Sequence, residues 1–409
     1  MMLELSKISL TFLIILLLLR KKLNIGYVML IASAAIIILY GMNISKISVT
    51  IQKTLTSGIT IKLILALSLI RMFEIILREN DVLSSMMSSV KTFFRSRRAV
   101  IISMPMLIGM LPSLGGAYFS APMVKEATTG LKMSREEKAF INYWYRHPWE
   151  YILPLYPGIL LASAVTNVPL YNLILANLVY AIALLATGFI YSMRGTVTPG
   201  EVEDNKTDSG IYNPKTGRNA KEKLSFLPIV AVLFMVVVLR IELHYSLLLA
   251  TIPLFVFYKY PLKEILRITR HGFSREVIVL IFGVMLFKEA MEASGAVENL
   301  SIFFVEQGIP VLPILCLLPF LVGMLTGITV GFVGSTFPLL VSLGGGASLS
   351  DISFAFASGF IGVLLSPVHL CLILTKEYFK ADLWKMYKKM MPACGIIFMA
   401  AIIEYLILR

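Results

Sequence analysis

PMLIGMLPSLGGAYFSAP at residues 105–122 and PFLVGMLTGITVGFVGSTFP at residues 319–338 decide how this chain folds. Aligned on Pro105 and Pro319, they share Pro, Leu, Gly, Met and Leu before diverging, and both end in proline. The apolar stretches around them, 99–127 and 311–343, are broken near the middle by Gly, Pro, Ser and Thr. Each arm keeps about 12 to 15 residues, whereas roughly 20 are needed to cross a hydrocarbon core. Both stretches are therefore expected to be re-entrant hairpins. Irregular backbone at membrane depth is tolerated only beside protein or a wet cavity, so the two tips mark a candidate site.

Composition places these hairpins in a bilayer. Of 409 residues, 57% are apolar and 15% charged, against about 25% charged in soluble domains. Mean hydropathy is +0.83. A soluble enzyme, a disordered chain and a disulfide scaffold are excluded, and an all-α polytopic membrane protein is expected. The net charge of +13 is read as topology rather than nucleic-acid binding, because Lys and Arg collect in cytoplasmic loops. Cys316, Cys371 and Cys394 lie in apolar runs without metal-ligand spacing and are read as packing residues.

Ten crossings are expected, near 3–19, 23–42, 57–77, 139–164, 169–193, 224–240, 244–260, 275–293, 351–377 and 390–408. The first is kept as a span because Arg20, Lys21 and Lys22 follow its apolar run, the reverse of a signal peptide. Alternating the spans gathers most basic residues on one face, assigned to the cytoplasm, which puts both termini outside a multi-pass plasma-membrane protein. The first hairpin then opens from the cytoplasm and the second from outside. Segments 44–56 and 261–272 have the alternation of interfacial helices. The polar linker 194–223 divides a first repeat, 1–193, from a second, 224–409.

Further matches support that division. Glu74 corresponds to Glu289, and RHPWE from Arg146 corresponds to SPVH from Ser366. Each half reads as three crossings, a hairpin and two crossings, so the second enters from the opposite face: an inverted repeat.

Ser113, Gly115, Gly116 and Ser120 at the first tip, with Thr326, Thr329, Gly334, Ser335 and Thr336 at the second, are expected to bind substrate or ion. Hydroxyls, close backbone approach and half-helix termini all suit small ions. The competing reading is small-residue helix packing. Pro148, Pro154 and Pro157 remove backbone donors behind the first hairpin, as Pro367 does behind the second. Arg146 and Ser366 join the binding candidates there, and His147, Glu150 and His369 are candidates for moving protons. An interfacial Arg146 paired with Glu150 within an aromatic belt is the alternative. Arg71 and Glu74, three apart on one helix, are expected to neutralise each other.

These motifs, with NYWYRHPWEYILPLYPG at 142–158, resemble the membrane-protein family numbered 401 among domains of unknown function. That family resembles the ion-transporter superfamily of gluconate permeases, citrate carriers, dicarboxylate/sodium symporters and arsenite-efflux proteins. The resemblance implies a scaffold domain, a mobile transport domain carrying both hairpins, a homodimer, and elevator-type transport of organic anions coupled to H+ or Na+. Superfamily dicarboxylate carriers place Ser-Asn-Thr at both tips. Here the second tip has Gly334, Ser335 and Thr336, and the first has Ser113 with glycines.

The expected function is secondary active transport of a small anion, an organic carboxylate, between the tips. Arg146 is its counter-charge, protons are preferred over sodium for coupling, and no cofactor, metal or catalytic residue is expected. Cation/proton antiport or anion export is the alternative within transport. An intramembrane metalloenzyme built on His147, Glu150 and His369 is the alternative outside it, although no HExxH spacing is present. The absence of a GxxxxGK[ST] motif leaves a gradient or a partner as the energy source.

Overall fold

A computed structural model describes residues 2–82, 84–86, 89, 96–112, 116–192, 225–296, 298–299, 302, 306–307, 310–341 and 348–408. Ser113 and Gly115 of the first tip, and the linker 194–223, lie outside the described residues. All secondary-structure elements among the described residues are helical. The first half comprises α1 (Met2–Arg20), α2 (Ile25–Leu39), α3 (Ile44–Thr56), α4 (Gly58–Glu79), α5 (Arg97–Gly109), α6 (Gly116–Ala127), α7 (Arg135–Trp144), α8 (Pro148–Ile152), α9 (Pro157–Thr166) and α10 (Leu170–Ser192). The second comprises α11 (Leu227–Leu233, continued by a π turn at Phe234–Val238), α12 (Leu243–Phe257), α13 (Leu262–Gly272), α14 (Arg275–Ser294), α15 (Val311–Thr326), α16 (Thr329–Leu340), α17 (Leu349–Leu365), α18 (Leu370–Phe379) and α19 (Leu383–Leu408).

Among the described residues, three helices are long and apolar enough to cross a membrane: Leu170–Ser192, the broken Leu349–Phe379, and Leu383–Leu408. They suggest membrane association. The stretch expected to cross at 139–164 is divided into α7, α8 and α9. Pro148 and Pro157 each occupy the first turn of a new helix, where a missing N–H costs nothing and φ is already set. The stretch expected at 351–377 divides at Ser366–His369, where Pro367 lies between the two helices and cannot continue the first.

Packing pairs elements across the halves. α2 lies on α14, and α12 lies on α4; α3 lies on α14, and α13 lies on α4. The arm α16 packs on α9, and the arm α6 packs on α18. Small residues permit the closest crossings, as van der Waals-driven packing between apolar helices requires. A Cβ on Gly323 would sit 2.2 Å from the Gly359 carbonyl oxygen, and one on Gly283 would sit 2.3 Å from that of Gly26. The interior centres on α16 and α17, which bury nearly every side chain.

α3 and α13 have one apolar and one basic face and brace the fourth helix of the opposite half. Lys53 on α3 pairs with Glu289 on α14 at 2.6 Å. Arg267 on α13 pairs with Glu79 of α4 at 2.6 Å and with Glu264 at 2.5 Å. The expected Arg71–Glu74 pair is not how those charges settle. Glu74 instead takes a hydrogen bond from Arg78, one turn on, while Arg71 donates to the Ser274 hydroxyl at 2.6 Å. Ser274 caps α14, so Arg71 reaches the opposite half instead of its own helix.

Candidate functional site

Three interruptions of helix meet at one place: the α7–α8 break, the α17–α18 break and the turn between α15 and α16. An interruption frees backbone carbonyls, and burying them without donors is costly. Here side chains supply the donors. Tyr143 Oη donates to the Leu364 carbonyl at 2.8 Å, Ser366 Oγ to Met324 at 2.7 Å, and Trp149 Nε1 to Met106 at 2.8 Å. Tyr156 Oη donates to the carbonyl of Gly109. A Cβ on Gly109 would lie 2.4 Å from the Arg146 carbonyl oxygen, so only glycine lets α5 approach the break this closely. Gly327, at φ +65°, turns the second hairpin and lies against His369, whose Cα would be 2.8 Å from an added Cβ.

The polar groups left over face one another. Thr329, the first residue of α16, donates its hydroxyl to Glu150 Oε2 at 2.6 Å. Glu150 Oε1 lies 3.9 Å from His147 Nε2. His147 Nε2 lies 3.1 Å from His369 Nε2, joining the two proline breaks across 222 positions of sequence. Each ring is anchored by its other nitrogen, His147 Nδ1 to the Tyr143 carbonyl at 2.6 Å and His369 Nδ1 to the carbonyl of Gly327. Tyr143 and Phe360 pack their rings on His147, with centroids 4.5 and 6.2 Å away.

Arg146 is 4% exposed, and its Nε and Nη1 are buried without hydrogen-bond partners. A guanidinium carries five N–H donors and no acceptor, and leaving buried donors unmet costs about 1–3 kcal/mol each. The Arg146 charge acts on Glu150, His147, His369 and Cys371. A guanidinium with unmet donors is chemically suited to pairing with the oxygens of an anion.

The sequence candidates thus separate by location. Arg146, His147, Glu150, Thr329, Ser366 and His369 form the junction. Gly116 starts α6, and Ser120 returns its hydroxyl to the Gly116 and Ala117 carbonyls of its own helix. Thr326 bonds the Val322 carbonyl at 2.8 Å. Ser335 and Thr336 bond the Gly331 and Phe332 carbonyls, each at 2.7 Å, and Gly334 packs on Val284. These hydroxyls therefore contribute no free donor to the junction. Trp144 and Tyr145 are buried, and the Trp144 indole donates to the Leu184 carbonyl.

Asn142, Tyr156 and Cys371 join the site without a sequence signal. Asn142 Nδ2 donates to the Ala117 carbonyl and the Thr375 hydroxyl, both at 3.0 Å, tying α6 and α18 to the break. Cys371 Sγ and the two histidine donor atoms lie within 4.8 Å of one another, a spacing open to a metal ion. The Arg146 charge, which acts on the sulfur, opposes a second cation there. A separate groove of about 640 Å³ lies between α10, α17 and α19, lined mostly by apolar residues and Glu404; no junction residue lines it.

The chain belongs to the family described as protein of unknown function (DUF401), whose match covers residues 4–408. No curated protein matches it.

Proposed function

We propose that this member of that family is a secondary active transporter that moves a small anion, an organic carboxylate, by elevator-type alternating access. The observation that carries the reading is Arg146: a buried guanidinium with two unmet nitrogens, at the meeting of two broken helices and a hairpin turn. Carboxylates present two coplanar oxygens that match this fork. Intramembrane charges face partners or substrate pathways because lipid solvates them poorly.

Reciprocal packing supports an inverted repeat. The pairs α2–α14 and α12–α4, α3–α14 and α13–α4, and α16–α9 and α6–α18 exchange under a swap of the halves, as a pseudo-twofold axis in the membrane plane requires. Ten crossings with two re-entrant hairpins, termini outside and the linker cytoplasmic complete the proposed topology, as a homodimer in the cell membrane. Coupling to protons is favoured over sodium because His147, Glu150 and His369 gather at the junction. No catalytic role is proposed for these groups.

A thermal-shift screen of purified protein against formate, acetate, lactate and gluconate, with and without sodium, tests the reading. A ligand at 100 times its Kd stabilises the folded state by about 2.7 kcal/mol. At least one anion should raise the midpoint in wild type and leave Arg146→Met unmoved. Equal shifts in both proteins, or none in wild type, would refute the site.

A further inference from the structure

We infer that His147 and His369 together bind one proton, held between their Nε2 atoms, and that this proton travels with a monoanion bound at Arg146. The first part stands on hydrogen-bond accounting. Backbone carbonyls only accept, so the contacts of His147 Nδ1 with Tyr143 and of His369 Nδ1 with Gly327 require a hydrogen on each Nδ1. A neutral imidazole carries one hydrogen. Two neutral rings anchored in this way would bring bare lone pairs together at 3.1 Å, in a buried site where no water screens the repulsion. One added proton turns that contact into an N–H···N hydrogen bond of ordinary length. The pair thus takes a single proton while it stays together, and losing the proton drives the two breaks apart. Because one break belongs to each half, the proton acts as a latch between them.

The second part rests on the proposed reading of Arg146 as the anion's partner, and follows from charge. The charged and titratable groups facing the pair are Arg146, Glu150 and Cys371. Tyr143 and Tyr156 use their hydroxyls as donors to carbonyls, and Tyr151 stacks on Phe360 from the same break. The α15–α16 turn contributes only the Thr329 hydroxyl, whose donation to Glu150 suits a carboxylate. With Arg146 positive and Glu150 negative, the empty junction is neutral. A bound proton alone leaves it at +1, and a bound monoanion alone leaves it at −1. Both together restore neutrality. A buried net charge is costly to carry through a membrane, so the states able to move are the empty one and the doubly loaded one. That is symport of one proton per monoanion.

The test uses full-length protein in nanodiscs with ¹⁵N-labelled histidine. The chain has four histidines, and His147→Gln and His369→Gln assign the relevant signals. At pH 5, where the added proton is driven onto the pair, a scalar coupling between the two Nε2 nuclei, with both Nδ1 protonated, is expected in wild type. The coupling should vanish in either variant. Two rings with unprotonated, uncoupled Nε2 at pH 5, or stoichiometric zinc in the purified protein, would overturn the inference. His369→Gln also supplies a permanent N–H donor to His147, so its thermal stability should vary less with pH between 5 and 8 than that of wild type. Equal dependence in the two proteins would count against the shared proton.

Proton uptake on adding acetate or lactate in weak buffer, at a pH high enough for the empty protein to show no Nε2–Nε2 coupling, should approach one per anion bound when followed with an indicator dye. Uptake near zero with a bound anion would overturn the coupling. Failure of every anion to bind would sink the anion reading while leaving the NMR result to decide the proton site.

Discussion

Replacing Thr329 by Val removes one hydroxyl and nothing else of substance. The side chain packs against Gly158, where an added Cβ would lie 2.3 Å from Thr329 Cγ2, and valine keeps that methyl. What disappears is the donation to Glu150 Oε2 at 2.6 Å. Hydrogen bonds to a charged group contribute about 1.5–3 kcal/mol, whereas neutral side-chain bonds within membrane proteins average about 0.6 kcal/mol. The magnitude therefore reports whether Glu150 is a carboxylate. Thr329→Val should cost about 1.5–3 kcal/mol, read by equilibrium unfolding in mixed micelles. A cycle with Glu150→Met isolates the pair from other losses at either position, and its coupling energy should fall in the same range. A coupling at or below about 0.6 kcal/mol would mean that the carboxyl is neutral or the contact absent. The charge accounting at the junction would then be wrong.

Other perturbations probe the supports of the site. Gly323→Ala directs a methyl at the Gly359 carbonyl oxygen and should destabilise the protein by about 1–3 kcal/mol through overpacking; Gly395→Ala, with open space around it, is the neutral control in the same unfolding assay. Ser134 and Glu137 form a capping box at the start of α7, so Ser134→Ala should cost about 0.5–2 kcal/mol and loosen the helix that carries the Arg146 break, visible as faster amide exchange over 135–144. Glu136 has its carboxyl held below the usual range, first by a hydrogen bond from its own backbone N–H and further by that of Asp382. A depressed value means stability present above the unfolded-state pKa and lost as pH falls through the folded one. Glu136→Gln should therefore flatten the acid side of the stability curve below about pH 4.5, and an unchanged acid limb would contradict the contact.

Proline and period made much of the architecture readable from sequence. The breaks at Pro148, Pro157 and Pro367 follow from missing donors, and the amphipathic alternation of 44–56 and 261–272 returns as α3 and α13. Contacts between halves were not readable. Nothing local to RHPWE or SPVH says that His147 and His369 touch, and Cys371, read as packing, proves to border them. Arg71 looked like a partner for Glu74 because three-residue spacing shares a face; the cap of α14 and the nearer Arg78 compete successfully. Ser335 and Thr336 illustrate another limit. In a helix a hydroxyl either faces outward or bonds the carbonyl one turn back, and sequence does not distinguish the two. The first tip, with Ser113 and Gly115, lies outside the described residues and adds nothing to the choice.

Uptake into proteoliposomes bears most directly on the claim that Arg146 binds a monoanion carried together with a proton. Radiolabelled lactate is offered under an imposed pH gradient, alkaline inside, and separately under a sodium gradient, with passive entry measured in protein-free liposomes subtracted. The account predicts accumulation driven by the pH gradient, indifferent to sodium, and lost in Arg146→Met. Accumulation that follows sodium alone, or that persists in Arg146→Met, would contradict it.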